Sequence, residues 1–199
     1  MPPRIEAPAV AKKKLPPKEP PFDTKPMDAR FKGEQDAIDP TTGAVREMPV
    51  RYLSESERSK FELKVGSDGK LYTADGKLYD SDAAADRGSG RAIFVMSKDG
   101  RIYVMQPGQK GRFNHSSFLA GEGVAAAGEI TVQNGVVTYL SDRSGHYMPE
   151  TEHTLQLVYR LQGRGADVTK MKVKAWNLPE MSAADFVEKA PSKLPDAQG

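Results

Sequence analysis

The sequence predicts an α+β fold: a twisted antiparallel sheet built from hairpins, with two or three short helices and a disordered N-terminal tail. Three observations predict it. Asp-Gly and Asn-Gly pairs recur between short apolar runs, which is typical of β-hairpins. One later stretch, residues 149–162, spaces its apolar side chains as a helix does. Proline and lysine crowd the first thirty residues, where little can be buried.

The turn signals define the strands. Asp-Gly pairs stand at 68–69, 75–76 and 99–100, and an Asn-Gly pair stands at 134–135. Both pairs tolerate the positive φ that a tight hairpin turn requires. Apolar runs flank them, so we expect three or four hairpins and antiparallel pairing. Residues 171–175 alternate apolar side chains with lysines, which predicts a further strand with one solvated face.

Local capping and periodicity predict the helices. Ser54 and Glu57 have the spacing of a capping box, which favours a short helix over 55–60. Apolar residues on one face predict the longer helix over 149–162. Residues 182–189 can form at most two helical turns.

Composition divides the chain into three parts. Eight prolines lie within the first thirty residues, and proline favours extended backbone without hydrogen-bond donors. Residues 1–44 are therefore expected to be a disordered Pro/Lys-rich tail, residues 45–178 the α+β module, and residues 179–199 a short helix with a loose tail.

Charge and residue usage exclude several classes of protein. The 29 basic and 27 acidic residues give a net charge of +2, which does not indicate nucleic-acid binding. The absence of cysteine excludes disulfides, thiolate metal sites and a cysteine nucleophile. No apolar run approaches the roughly 20 residues that cross a membrane. The N-terminus lacks the apolar core of a signal peptide.

Reactive side chains concentrate between residues 112 and 149. His115 and His146 lie on either side of the Asn-Gly turn, so a hairpin can bring them together, and Glu129 can orient one of them. Histidine suits proton transfer near neutral pH, so these three are the predicted catalytic residues. The predicted substrate-binding residues are Arg112, Ser116, Ser117, Ser144 and Tyr147.

The same residues also have a plainer interpretation. Loop histidines commonly bond to backbone carbonyls, and a hairpin explains the glycines without catalysis. The spacing of the histidines and Glu129 matches no standard zinc motif, so we predict no metal and no resident cofactor.

Three segments resemble a known family. They are residues 113–121 (FNHSSFLAG), 126–128 (AAG) and 144–149 (SGHYMP). Together they are similar to the core of the plant IQ-motif calmodulin-binding (IQM) proteins and to modules of some bacterial secreted effectors and toxins. The resemblance spans about residues 50–170. It implies calmodulin as a partner, yet the sequence holds no IQ motif, only a distant echo at 155–160 (LQLVYR).

Three hypotheses of function remain open, and the sequence does not decide whether the protein is an enzyme. The first is a bacterial effector or toxin module, made in the cytoplasm and exported by a dedicated secretion system. It would act in a target cell on a protein or nucleotide-type substrate, with acid–base catalysis by the histidines. The second is an ADP-ribosyltransferase-like enzyme that uses NAD, echoed at 116–119 and 150–152. The third is a non-catalytic protein-binding module related to calmodulin signalling.

Overall fold

The computed structural model describes residues 15–84, 90–106 and 113–194. Eight strands form one sheet: β1 Glu62–Val65, β2 Leu71–Tyr72, β3 Ala92–Met96, β4 Ile102–Val104, β5 Ala126–Gln133, β6 Val136–Ser141, β7 Lys172–Lys174 and β8 Met181–Ser182. Their spatial order is β2-β1-β4-β3-β5-β6-β7-β8. The α-helices are α1 Glu55–Arg58, α2 His115–Phe118, α3 Thr151–Gly163 and α4 Ala183–Lys189. Short 3-10 helices cover Ala29–Phe31, Ser59–Phe61 and Ala190–Lys193.

The predicted α+β fold with hairpins is confirmed. Strand pairs β1–β2, β3–β4 and β5–β6 are antiparallel, and each reverses at one of the expected turns. Asn134 and Gly135 both adopt positive φ, at 47° and 80°, as the last of these turns requires. The pair at 75–76 closes only an isolated bridge between Tyr72 and Leu78.

One pair of strands differs from the expected antiparallel pattern. β6 and β7 run parallel, so the sheet is mixed. The reason is the connection: α3 lies between them, and a helical crossover returns the chain in its original direction. The helix inventory differs too, because no capping or periodicity signal predicted the four-residue α2.

Helix α3 lies in the interior and organises the core around it. Leu155, Leu157, Val158 and Leu161 are fully buried, and the helix packs against β5 and α4. A helix covered on most sides shows a wide apolar surface rather than a single narrow stripe. α3 therefore serves as a core element of the described structure.

Strand β5 runs between β3 and β6, and Gly128 permits its close approach to β6. A Cβ atom on Gly128 would meet the carbonyl oxygen of Ser141 at 1.7 Å. Only a residue without a side chain fits at that distance. The backbones of β5 and β6 therefore approach each other closely at Gly128.

Residues 15–44 differ from the expected disordered tail, because they pack against the module. Phe22 is 1% exposed, and its backbone N–H donates to the carbonyl of Lys98 at 2.9 Å. Lys25 and Val124 exchange two backbone hydrogen bonds. The burial of one aromatic anchor offsets the unfavourable proline-rich composition around it. Residues 1–14 lie outside the described residues.

The expected C-terminal segment is likewise packed as far as it is described. Phe186 of α4 is fully buried and Leu194 is 4% exposed. Residues 195–199 lie outside the description. In the three described ranges, none of the helices combines the length and the apolar character that crossing a membrane would require.

Candidate functional site

Helix α2 brings three of the predicted site residues into the interior. The Asn114 N–H donates to the Ser117 hydroxyl at 2.9 Å, and the Ser117 carbonyl accepts from Leu53 N at 2.9 Å. Phe118 is fully buried and meets the Phe113 ring edge-on, with centroids 4.9 Å apart. These contacts hold a helix too short to be stable alone.

His115 uses its side chain on the backbone of β5. Its Nε2 lies 2.8 Å from the Gly128 carbonyl oxygen, which only accepts, so Nε2 donates. The imidazole is buried. Burial lowers the pKa of His115 to about 4, because a charged ring is poorly solvated in the interior. His115 is thus a neutral hydrogen-bond donor near neutral pH.

His146 is held from two sides. Its Nε2 lies 2.8 Å from Oε2 of Glu34, and its ring stacks on Phe31 with centroids 4.1 Å apart. The carbonyl of His146 accepts from Asp28 N at 2.8 Å. All three partners belong to the segment that the sequence had assigned to the tail.

Glu34 is the centre of this cluster, and no sequence motif singled it out. Besides His146, its carboxylate accepts hydrogen bonds from the Ser116 hydroxyl and from the Tyr52 hydroxyl, the latter at 3.2 Å. Burial raises the pKa of Glu34, but the bonds from His146 and Ser116 outweigh burial and leave it below its ordinary value. We call Glu34, Tyr52, Ser116 and His146 the Glu34 cluster.

Glu129 does not join the two histidines, which corrects the predicted His115/Glu129/His146 cluster. It lies on β5, where its Oε2 faces Nη1 of Arg91 at 3.5 Å. The Arg91 guanidinium in turn lies 4.1 Å from the Tyr139 ring centroid. Glu129 follows Gly128 on β5, and neighbouring strand residues point to opposite faces of the sheet. The carboxylate beside His146 is therefore Glu34, from 112 residues away in the chain.

The remaining predicted residues have separate surroundings. The Tyr147 hydroxyl donates to the Glu122 carbonyl at 2.8 Å, and the ring is buried. Ser144 is buried, and its hydroxyl has no hydrogen-bond partner among the described residues. Arg112 lies outside the described residues. The substrate-binding roles expected of these residues stay predictions.

The Glu34 cluster faces neither of two clefts on the surface. One cleft of about 850 Å³ lies beside the start of α3, and another of about 610 Å³ lies near Arg58 and Lys98. Neither His115 nor His146 lines them. Within the described ranges, no three histidine or carboxylate side chains group closely enough to hold a metal ion. The Glu34 cluster therefore links the N-terminal segment to α2 through hydrogen bonds.

Comparison with known proteins gives a family likeness. Residues 57–154 match the family described as IQ motif-containing protein middle domain. The chain is 34% identical over 133 residues to IQ domain-containing protein IQM2 of Arabidopsis thaliana, which covers 67% of this chain and 22% of the relative. It is 37% identical over 126 residues to IQM5 of the same plant, covering 63% and 24%. These matches thus span less than a quarter of each relative. No solved structure matches.

These relatives argue against several of the predictions. They are plant proteins named for an IQ domain, so the bacterial effector or toxin, its export into a target cell, and the target-cell substrate are not supported. The ADP-ribosyltransferase alternative conflicts with the same names. The absence of a resident cofactor stays a prediction.

Proposed function

Because the chain resembles the core module of the plant IQM proteins, we propose that it is a non-catalytic protein-binding module in calmodulin-related signalling. The matched family region ends at residue 154 and covers most of the sheet together with α2. The proposal concerns this module alone, since the relatives extend well beyond the matched length.

The observation that supports the proposal is that the polar side chains of the motif already form hydrogen bonds within the protein. His115 donates to a backbone carbonyl, and the Glu34 carboxylate accepts from three side chains at once. A general base has to reach a substrate proton, whereas buried groups that satisfy one another stabilise a fold. The motif residues therefore hold α2 and the N-terminal segment in place and leave the outer surface for a partner.

Calmodulin is the first partner to consider, and α3 is not its binding segment in the folded chain. The echo of an IQ motif at 155–160 lies on α3, where Leu155, Leu157 and Val158 have no exposed surface. A protein that wraps an amphipathic helix needs the apolar face of that helix. Any calmodulin bound by this module therefore contacts another surface.

The test is affinity capture with the full chain as bait, followed by titration calorimetry with each purified partner. Purified calmodulin, with and without Ca²⁺, is included from the start. The matched baits carry His115→Gln and His146→Gln, at a temperature where their circular dichroism equals that of the native chain. We expect a stoichiometric partner whose dissociation constant changes less than about threefold in either variant, because neither imidazole faces it.

Two results would contradict the proposal. One is the absence of any stoichiometric partner. The other is a substrate turnover that disappears in a folded His115 or His146 variant. Hydrogen exchange on α3 separates the binding routes for calmodulin: we expect α3 to stay protected in the complex, and deprotection there would show that α3 itself is captured.

A further inference from the structure

The cleft of about 850 Å³ has features that the Glu34 cluster does not explain. It lies between the segment after β6 and the turn after β7, beside the first residues of α3. Its lining includes Asp142, Ser144, Met148, Trp176 and Asn177. Its volume falls in the range of roughly 300–1,000 Å³ that is usual for sites that hold a small ligand or an anchoring side chain.

Trp176 presents its ring to solvent from a fixed backbone. The residue is 87% exposed. Its N–H donates to Oδ2 of Asp142 at 2.7 Å, and the next residue, Asn177, accepts from the Thr151 hydroxyl at 3.2 Å. These two hydrogen bonds fix the turn without using the indole ring. A polar residue could therefore stand at position 176, so the fold does not require an exposed tryptophan there. Exposed tryptophan on an ordered backbone is typical of binding surfaces.

Ser144 contributes a hydroxyl without a partner. The residue is 6% exposed, and its Oγ is buried with no hydrogen bond among the described residues. A buried, unpaired hydroxyl is unfavourable for folding. With nothing holding it, the hydroxyl is free to rotate about the Cα–Cβ bond toward an occupant. The backbone carbonyl of Ser144 accepts from Met148 N at 2.8 Å, which fixes the turn around Ser144.

Met148 adds a strained and exposed side chain to the same cleft. Its φ is +42°, a left-handed conformation that residues with a side chain adopt at a cost. The residue is 49% exposed, with its Sδ 4.0 Å from Nη2 of Arg30, so burial offsets only part of that strain. Strain of this kind is concentrated at ligand-binding segments. A thioether that lines the same cleft as an indole also suits an aromatic ring as a neighbour.

The charges that line the cleft balance. They comprise two basic and three acidic side chains: Arg143, Lys193, Asp142, Glu150 and Glu152. Glu150 is already paired with Lys25 at 2.7 Å, which leaves two of each sign. A balanced lining gives no preference for a net positive or negative occupant. The lining therefore fits a ligand without net charge.

We propose that this cleft binds an uncharged aromatic side chain carrying a hydroxyl, of the tyrosine type, presented by a segment of a partner protein. The ring stacks on Trp176 and contacts Met148, and its hydroxyl pairs with the Ser144 hydroxyl. This assignment rests on the proposed protein-binding function and names the surface on which that binding occurs.

The test uses the indole N–H resonance of Trp176, the single tryptophan of the chain. The full chain is titrated by NMR with N-acetyl-L-tyrosinamide, N-acetyl-L-phenylalaninamide and N-acetyl-L-lysinamide. We expect a saturable shift with the tyrosine probe and a dissociation constant several-fold higher for the phenylalanine probe. Ser144→Ala should remove this preference without unfolding the chain, since it deletes only an unpaired hydroxyl. Val45→Ala, at another exposed apolar position, should change nothing.

The site is wrong if the tyrosine probe does not saturate, if both aromatic probes bind equally to the native chain, or if the lysine probe binds best. These outcomes are separable from the proposed function. A partner that binds Trp176→Ala as well as the native chain leaves the function standing and removes the cleft. If the tyrosine probe saturates but no protein partner is found, the cleft stands and the proposed function is removed.

Discussion

At the residue scale, Glu34 accounts for the position of the conspicuous histidine and serine. Its partners come from the loop before α1, from α2 and from the segment before α3, so one carboxylate ties distant parts of the chain. His115 makes a second tie, to β5. Buried polar groups of this kind are costly when one member is removed, because the others lose their partners.

Replacing Glu34 with alanine is expected to destabilise the protein by about 2–4 kcal/mol, since the buried Ser116 hydroxyl and the half-buried Tyr52 and His146 side chains lose their acceptor. The measurement is the free energy of unfolding in urea, monitored by circular dichroism. Glu47→Ala is the matched control, because Glu47 is exposed, and its effect should stay within about 0.5 kcal/mol. Equal effects from both variants would show that the Glu34 cluster does not stabilise the fold.

Acid is expected to weaken the fold through His115. Its pKa is about 4 in the folded chain against an ordinary value of 6.5, so between these values the unfolded state binds more protons. The contribution of His115 to the free energy of unfolding is fully present above about pH 6.5. It falls by about 3 kcal/mol as the pH drops toward 4. Glu34, whose pKa lies below its ordinary 4.5, adds a loss in the same direction only at lower pH.

The check is the urea unfolding free energy of the native chain and of His115→Gln, measured between pH 4.5 and 7.5. Glutamine retains a donor for the Gly128 carbonyl but does not titrate. The variant should therefore show a shallower decline over this range, while the lowered pKa of His153 contributes equally to both proteins. Parallel curves would mean that His115 titrates normally.

At the scale of elements, the Gln156 side chain of α3 connects the sheet to the N-terminal segment. Gln156 is fully buried, accepts from Asp23 N at 2.8 Å, and donates to the carbonyls of Asp23 and Ala125 at 2.9 Å each. An amide can make these bonds in both directions, which no apolar residue of similar size can do.

Gln156→Leu is expected to release the segment around Asp23 while the sheet stays folded. Three backbone groups lose their partner, so hydrogen exchange and proteolysis over residues 15–30 should increase at least tenfold. Mass-spectrometric hydrogen exchange measures both regions at once. Gln162→Leu, at an exposed position of the same helix, provides the control. Unchanged protection of residues 15–30 would mean that Gln156 does not hold the segment.

The β5–β6 pair depends on Gly128 for its spacing. An alanine Cβ would overlap the Ser141 carbonyl oxygen at 1.7 Å, and backbone cannot move aside cheaply. We expect Gly128→Ala to lower the melting temperature by more than 10 °C or to prevent folding, whereas Gly145→Ala, with open space around it, should be nearly neutral. Calorimetry decides, and a neutral Gly128→Ala would contradict the strand pairing.

At the scale of the whole molecule, the sequence predicted those features that depend on residues close together in the chain. The Asn-Gly and Asp-Gly turns and the periodicity of α3 depend on neighbouring residues, so the hairpins and the long helix could be predicted. The parallel β6–β7 pair and the docking of Phe22 depend on contacts between distant residues. Glu34 was missed for the same reason: its role exists only once His146 lies beside it.

The candidate site followed the same division. His115, Ser116 and His146 were placed in one region on local signals, the motif and the hairpin turn, and the roles predicted for them stay predictions. Their partners were not predictable, since Gly128 and Glu34 are chosen by strand register and by the packed N-terminal segment. Among the carboxylates near the motif, Glu129 was the one predicted to join the histidines, and it instead faces Arg91.

The most direct measurement of the structural role is the long-range ¹H–¹⁵N NMR spectrum of the histidine rings during a pH titration. It is recorded for the free chain and with its captured partner. The structure predicts that His115 stays neutral with its proton on Nε2 from pH 5.5 to 8 in both states. A titration midpoint of the His115 ring between pH 6 and 7 would contradict the account. So would His115 ring signals that respond to a small-molecule substrate, and either result would restore a catalytic histidine.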